Sequence, residues 1–323
     1  MKSDMNNILV IGSTGQIGSE LLTQLRERYG TDSVIGTGYS TEPTEDLLTG
    51  PFEKLNVLNR DQISQLIDKY HVDSIFHLAA ILSAKGEENP QLAFEINVTG
   101  TFNVLEVGLQ YNLERVIIPS SIGVFGPEVP RKKTPNETIL RPTSMYGVTK
   151  VTDELLGNYY CDKFGLDVRG ARLPGIVSYK TLPGGGTTDY AVEAFYEAIK
   201  KKHYTFFVRK DTILPLMYMP DCTKALIQLA EADINNLEHH ADFNVSSLSF
   251  SAIELAEEIK KHIPNFTFEF EPDKRQEIAD SWPDSMDDTP AREEWGWEPD
   301  YGLEEMTADM IDKLTDKLNI HAT

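Results

Sequence analysis

The chain has 323 residues, enough for one large domain or two modest ones with a substantial core. Its 30 basic and 51 acidic residues give a net charge of -21, which argues against nucleic-acid or anionic-membrane partners. No apolar run has the length of a membrane span and residues 1–7 resemble no leader peptide, so we expect a cytoplasmic protein.

The two cysteines, Cys161 and Cys222, lie far apart without metal-ligand spacing, and we expect both to be reduced and structural. The seven histidines form no pair of recognised metal-ligand spacing either. We therefore predict no metal site.

The first predicted element is an apolar strand, residues 8–11, which runs into a glycine-rich turn and an amphipathic helix. Gly12, Gly15 and Gly18 stand in that turn with G-x-x-G-x-x-G spacing. Glycines allow a tight turn and a close backbone approach to a pyrophosphate, which the following helix N-terminus faces. Such a turn also occurs in other α/β proteins. We predict a dinucleotide site here that includes Thr14, Gln16 and Ile17.

The second predicted strand, residues 33–38, ends where a dinucleotide-binding protein has the acidic residue that holds the adenosine ribose. That place holds Gly38, followed by Tyr39 and Ser40, and no arginine for a 2′-phosphate stands there. Glu42 or Glu45 could substitute from the next loop. The absence of a basic residue favours NAD over NADP but leaves the strictness of that choice open.

Helical periodicity after Asn59 and an apolar run over 73–78 predict the next helix and strand. That strand ends in His77-Leu78-Ala79-Ala80, where small residues would let a cofactor lie close. We expect His77 to pack in the core. The cofactor site is predicted to include Asn56, Val57, Leu78, Ala79 and Ala80.

A long helix over 92–111 contains Asn97, which is either exposed or holds backbone or water near the site; we count it with the cofactor residues. The next strand, 115–119, leads to Ser120 and Ser121 at its carboxyl end. Alternation of strands and helices through residue 171 predicts a Rossmann-type doubly wound parallel sheet in an α/β protein.

Tyr146 and Lys150 begin the next helical run and, four residues apart, share one face. An ammonium beside a phenol favours the phenolate, which could take the proton of an alcohol whose carbon gives hydride to a nicotinamide. The pair alone is also common on ordinary amphipathic helices. A hydroxyl from Ser120 or Ser121 could bond the same reacting oxygen, and together these residues favour catalysis.

In this order and spacing, the glycine turn, residues 77–80, Asn97, Ser121, Tyr146-x-x-x-Lys150 and the segment 172–175 resemble the extended short-chain dehydrogenase/reductase superfamily. The resemblance covers essentially the whole chain, including the tail at 291–299. Four further segments are similar to those of the epimerase-like L-threonine 3-dehydrogenases: residues 80–87, 119–127, 183–190 and 214–221.

The resemblance implies oxidation of the L-threonine C3 hydroxyl by NAD to 2-amino-3-ketobutyrate. It implies Tyr146 as base, Lys150 on the nicotinamide ribose, and Ser120 or Ser121 orienting the hydroxyl. By its spacing to Gly126, Ser121 matches the catalytic hydroxyl of the superfamily, and we place Ser120 on the substrate. The other implied residues are Pro174 for the cofactor, and Ser83, Gly186, Thr187, Thr188 and Trp282 for the substrate.

The run 184–186 can bring backbone N–H groups near a carboxylate, although such a run also suits a flexible loop. A UDP-sugar would instead need cations for its diphosphate. The segment 174–190 offers only Lys180, with Arg209 and Lys210 in the next segment. A UDP-sugar 4-epimerase with tightly bound NAD and a non-enzymatic dinucleotide-binding protein remain alternatives.

We predict a dinucleotide-binding domain over residues 1–173, completed by 205–245. A smaller mixed C-terminal substrate lobe would comprise 174–204 and 246–323. By analogy with the superfamily, we expect a homodimer that pairs the helices over 92–111 and 146–164.

Overall fold

The computed structural model describes residues 5–181, 184 and 186–318, and strands alternate with helices as expected. The strands are β1 Ile8–Ile11, β2 Val34–Gly38, β3 Phe52–Lys54, β4 Ser74–His77, β5 Arg115–Ile117, β6 Ser120–Ser121, β7 Val168–Arg169, β8 Ala171–Leu173, β9 Gly175–Val177, β10 His203–Phe206, β11 Ile213–Tyr218, β12 Phe243–Asn244, β13 Leu248–Ser251 and β14 Thr267–Phe270. The helices are α1 Gln16–Tyr29, α2 Arg60–Tyr70, α3 Ser83–Glu88, α4 Pro90–Phe94, α5 Gly100–Tyr111, α6 Met145–Phe164, α7 Tyr190–Lys201, α8 Met219–Glu231, α9 Ala252–His262, α10 Arg275–Ser281, α11 Thr289–Trp295 and α12 Leu303–Lys317.

The central sheet has six parallel strands in the order β3-β2-β1-β4-β5-β7. Side chains of β1 alternate between two cores: Ile8 and Val10 pack with α1 and α8, while Leu9 and Ile11 pack with α2, α5 and α6. All four are buried, as in a sheet covered by helices on both faces. The predicted Rossmann-type doubly wound sheet is confirmed. Its strand order reverses between β1 and β4, where such sheets bind ligands.

After β8 the chain forms further short sheets and a second core, while α8 and β12 return to the core of β1 and α1. β11 runs parallel to β9 and antiparallel to β13, so this sheet is mixed, as predicted. β10 pairs with β14, and β12, β8 and β6 form another short parallel sheet. A separate core that includes Phe195, Phe206 and Trp282 packs α7, α9 and α12 against these strands. The domain boundaries at 173, 204 and 245 stay predictions.

Capping residues define where several helices begin. Asn59 accepts the N–H of Gln62 at 3.1 Å before α2, and Ser144 caps α6 in the same way. Ser251 forms a capping box with Glu254 at the start of α9. Within the described residues, no helix is long and apolar enough to cross a bilayer.

The helix predicted over 92–111 is continuous but not uniform. It begins at Pro90 and widens into a π-helix over Glu95–Thr99, between α4 and α5. Asn97 lies in this widened turn, a feature often found at functional sites. Spacing of apolar residues cannot distinguish such a turn from ordinary α-helix, so the sequence analysis missed it.

Candidate active site

A crevice along the carboxyl edge of the central sheet brings together every predicted site residue except Asn97. One part is lined by Gly12, Gly15, Gln16, Ile17, Gly18, Leu78, Ala80, Ser83, Ser120, Ser121, Tyr146, Lys150, Pro174, Gly186, Thr187, Thr188 and Trp282. The adjoining part is lined by Thr14, Asn56, Val57 and Ala79, and it shares Gly12, Gly15, Leu78 and Ala80 with the first.

The turn between β1 and α1 has no room for side chains at two of its glycines. Gly12 has a φ of +86°, and a Cβ there would lie 2.7 Å from the backbone nitrogen of Ala79. A Cβ on Gly18 would lie 2.3 Å from the carbonyl oxygen of Gly12. Gly15 precedes α1, whose first N–H groups need partners from outside the helix. A turn this close to the crevice fits the pyrophosphate of a dinucleotide.

Lys150 is a buried cation beside Tyr146 on α6. Its Nζ donates to the carbonyl oxygen of Pro119 at 2.8 Å and to the Asp153 carboxylate at 3.2 Å. Burial disfavours the ammonium, but Asp153, Tyr146 and Glu154 outweigh it, and the pKa of Lys150 is raised. Lys150 is therefore charged at neutral pH, and the third of its N–H donors remains for the crevice.

Gly123 lies between Tyr146 and Ser121. A Cβ on Gly123 would be 3.1 Å from Cδ1 of Tyr146 and 3.4 Å from Oγ of Ser121, so both side chains border the same small space. Ser121 Oγ accepts the N–H of Gly123 at 3.1 Å. Its hydroxyl hydrogen has no acceptor among the described residues, so Ser121 can donate to a bound molecule.

Ser120, unlike Ser121, donates its hydroxyl hydrogen to another side chain of the protein. Arg172 donates two N–H groups at 2.9 Å to Glu154, one to each carboxylate oxygen. Since both oxygens act as acceptors, the hydrogen bond between Ser120 and Glu154 is donated by the serine. Burial raises the pKa of Glu154, while Arg172 and Ser120 oppose that rise. Ser120 can therefore offer the crevice only lone pairs of its oxygen.

Asp153 and Glu154 are two further site residues that were not predicted from the sequence. They follow Lys150 by three and four residues, which places all three on one side of α6. That spacing was the signal that could have identified them. Their exposed fractions of 2% and 3% show that α6 turns these charges inward.

Asn97 does not line the crevice but holds its wall. Its side chain accepts the N–H of Ile81 at 2.7 Å and donates to the carbonyl of Ile81 at 3.1 Å and to Thr149 Oγ1 at 3.0 Å. Of the two expected roles, exposure is excluded by its exposed fraction of 1%. Asn97 fastens the segment after β4 to α6, and it does not bond Lys150.

His77 is buried at the crevice wall, as expected. Neither ring nitrogen has a partner among the described residues. Burial, with a smaller effect of the Lys150 charge, lowers the pKa of His77 to about 3, so the ring is neutral. Within the described residues there is no group of three or more His, Cys, Asp or Glu side chains that could hold a metal.

The predicted substrate residues come from five stretches of the chain: Ser83, residues 120–121, Tyr146, residues 186–188 and Trp282. Thr187 is buried just before α7, and its Oγ1 has no partner in the described part of the chain. Nearby, the N–H of Gly186 donates to Asp189 at 2.7 Å. Trp282, only 5% exposed, is more deeply buried than a surface loop tryptophan. Gly185 of the run 184–186, and Pro183 of the segment 183–190, lie outside the described residues.

At the end of the crevice where the sequence predicts the adenosine ribose, Gly38 stands in place of a carboxylate, and packing leaves no room there for a side chain. A Cβ on Gly38 would lie 2.8 Å from Cγ2 of Thr14. The wall continues through residues 39–41. Neither Glu42 nor Glu45 lines this crevice, so the structure gives no support to the expected substitution.

The chain is similar to known proteins over nearly all of its length. The model of the NAD dependent epimerase/dehydratase family matches residues 8–246. An uncharacterized epimerase/dehydratase from Staphylococcus haemolyticus (strain JCSC1435) is 46% identical over 316 residues, 97% of this chain and 99% of its own. The structure of L-threonine dehydrogenase from Clostridium difficile is 45% identical, with a TM-score of 0.95, and the match covers 97% of this chain and 98% of that one. A monomeric L-threonine 3-dehydrogenase from a metagenome database is 44% identical, with a TM-score of 0.93 and coverage of 97% and 99%.

Proposed function

The chain belongs to the NAD-dependent epimerase/dehydratase family, and from that premise we propose that it is an NAD-dependent L-threonine 3-dehydrogenase. The reaction would oxidise the C3 hydroxyl of L-threonine to give 2-amino-3-ketobutyrate. The observation that carries the proposal is the meeting of Tyr146, Lys150 and Ser121 in one crevice beside the glycine turn. Full-length similarity to solved structures that bear this enzyme name supports the choice of substrate.

The residues present fit the cofactor. The glycine turn and the N-terminus of α1 would hold the pyrophosphate of NAD, and Lys150 would give its remaining N–H to the nicotinamide ribose. When bound, NAD supplies the acceptor for the hydride that leaves C3. The small residues 78–80 would form the wall beside it, held in place by Asn97.

The protein's part in the chemistry is to take a proton and hold the alcohol. Tyr146 would be the general base, with the Lys150 ammonium beside it on α6. Ser121, whose hydroxyl hydrogen is available, would donate to the C3 oxygen and hold it beside Tyr146.

The direction of the hydrogen bonds also assigns separate places to the α-ammonium and the carboxylate of the amino acid. Ser120 can only accept, so we assign it to the α-ammonium and not to the carboxylate. The carboxylate would lie at Thr187 and Thr188, whose hydroxyls could donate to it, since the N–H of Gly186 is already donated to Asp189. Ser83 and Trp282 would complete the pocket around the substrate.

A UDP-sugar would need cations for its diphosphate, and none of the candidates Lys180, Arg209 and Lys210 lines the crevice. Arg209 pairs with Asp280 at 2.6 Å, and Lys180 Nζ lies 3.9 Å from Glu20.

Formation of NADH from NAD, measured by absorbance with L-threonine, D-threonine, L-serine and UDP-hexoses, tests the proposal. We expect NADH with L-threonine, and the amino ketone as its product. Turnover of a UDP-hexose by protein that retains NAD, with no NADH from threonine, would refute the proposal in favour of an epimerase. Cofactor binding without turnover of any of these compounds would refute it in favour of a non-enzymatic protein.

We also propose a homodimer through α4, α5 and α6. These helices expose a set of large apolar side chains, Leu92, Phe94, Phe102, Val148, Leu155, Tyr159 and Phe164. Exposed apolar side chains on adjacent helices are typical of an interface between subunits. Light scattering should give twice the chain mass, and a monomer at all accessible concentrations would contradict this proposal.

A further inference from the structure

The adenosine end of the crevice lacks the charge that lets such sites reject NADP. In related dinucleotide sites an acid after the second strand bonds the ribose hydroxyls of NAD, and its charge repels a 2′-phosphate. Here β2 ends in Gly38, and no side chain that lines this end within the described residues is acidic.

The packing around Gly38 leaves no room for an acidic side chain at this position. A Cβ on Gly38 would meet Thr14 Cγ2 at 2.8 Å, Phe52 Cζ at 3.2 Å and Thr14 Oγ1 at 3.3 Å. A longer side chain could enter only if these neighbours moved. The position is thus closed to a carboxylate in the present packing.

A positive charge lies on the adjacent strand. Lys54 of β3 is the direct pairing partner of Gly38 in β2. Its Nζ is 5.9 Å from the centre of the Tyr39 ring, at the rim of the same wall. Lys54 is 16 positions from Gly38 along the chain, and only the pairing of β2 with β3 brings the two residues together.

The groups that remain suit either dinucleotide. Tyr39, Ser40 and Thr41 carry hydroxyls, which can accept from a ribose 2′-hydroxyl or donate to a 2′-phosphate. Lys54 would attract the phosphate and would make little difference to a neutral ribose.

We propose that the protein binds NADP as well as NAD, with the 2′-phosphate held by the hydroxyls of residues 39–41 and by Lys54. The inference rests on the dinucleotide site of the proposed function and extends it to the second cofactor.

Calorimetric titration of the full-length protein with NAD and with NADP, at one salt concentration, tests the inference without turnover. We expect Kd values within about tenfold of each other, whereas a carboxylate at this position would separate them by about a hundredfold or more. NAD binding with NADP weaker by more than about a hundredfold would overturn the inference alone. Failure to bind NAD would overturn it together with the dinucleotide site of the proposed function.

Two matched variants isolate the charge. In a Thr14→Ser background, which removes the methyl nearest to the new Cβ, Gly38→Asp is compared with Gly38→Ala. Both add a Cβ, but only the aspartate adds a carboxylate, so it should weaken NADP at least about tenfold relative to the alanine and leave NAD equal or tighter. An unchanged ratio of the two Kd values would overturn the inference.

Lys54→Gln tests the proposed attraction between the Lys54 ammonium and the 2′-phosphate. This change should weaken NADP about threefold to tenfold and leave NAD unchanged. An equal effect on both dinucleotides, or no effect on either, would overturn the role given to Lys54.

Discussion

Replacement of Tyr146 by phenylalanine should remove nearly all turnover and leave the fold intact. The Tyr146 hydroxyl has no hydrogen-bond partner among the described residues, since Lys150 is held by Pro119 and Asp153. The variant therefore breaks no internal hydrogen bond. We expect its free energy of unfolding to differ from that of the wild type by less than about 1 kcal/mol.

The loss of rate follows from the role of the phenol. A positioned general base contributes about 10²- to 10⁴-fold, or roughly 3–5 kcal/mol of activation free energy. The kcat of Tyr146→Phe should fall by that factor, while the Kd for NAD stays within about threefold because the hydroxyl is assigned to the substrate. Initial rates of NADH formation, calorimetry with NAD and thermal unfolding measure the three quantities.

Tyr111→Phe is the matched control. Its hydroxyl donates to Asp68 at 2.9 Å on the outer surface of α5, away from the crevice. Its kcat should equal that of the wild type. The assignment of Tyr146 as the base would be refuted if Tyr146→Phe kept more than about a tenth of the wild-type kcat.

Three further changes test other parts of the site. Asn97→Ala removes three hydrogen bonds and leaves the N–H and the carbonyl of Ile81 unpaired, while Thr149 keeps its hydrogen bond to the carbonyl of Tyr146. Urea denaturation should therefore show a loss of about 2–4 kcal/mol, and a loss below about 1 kcal/mol would contradict this. Gly123→Ala puts a Cβ 3.1 Å from the Tyr146 ring, and the ring must shift to make room for it. The kcat should therefore fall about tenfold with little change in Tm. An unchanged kcat would show that the position of the ring does not limit the rate. Burial raises the pKa of Glu20 from 4.5 to about 7, so the folded state loses stability as pH rises through this window. The free energy of unfolding of Glu20→Gln should therefore exceed that of the wild type by about 3 kcal/mol at about pH 8, and the two should be similar at about pH 4. An equal difference at both pH values would show that Glu20 does not titrate in this range.

The parts of the site that follow from short spacing could be predicted from the sequence. The glycine turn, Tyr146 and Lys150 each belong to one strand–turn–helix unit, and the order of elements brings those units to one edge of a parallel sheet. The same applies to Ser120 and Ser121, which directly follow β5 along the chain. For these residues, chain order and periodicity already determine the place in the fold.

The other features of the site depend on contacts between elements that are distant in the sequence. Glu154 meets Arg172 from another element, and Gly38 meets Lys54 across a strand pair, so neither contact is visible as a local pattern. No basic residue is adjacent to Gly38 along the chain, and only the register of β2 and β3 brings Lys54 beside it. The widened turn at Asn97 was missed because α- and π-helix share similar apolar periodicity.

Helix α6 shows why activity alone cannot assign roles at this site. Lys150 and Glu154 are both buried and paired, and removing one partner of a buried ion pair costs about 3–5 kcal/mol. Tyr146 has no such partner, so its loss should leave stability almost unchanged. Replacement of Glu154 would lower activity through unfolding and through the loss of Ser120 orientation, and would resemble a catalytic defect in a rate assay. A lower kcat therefore assigns a residue of α6 to catalysis only when the free energy of unfolding of the same variant is measured and the loss of folded protein is accounted for.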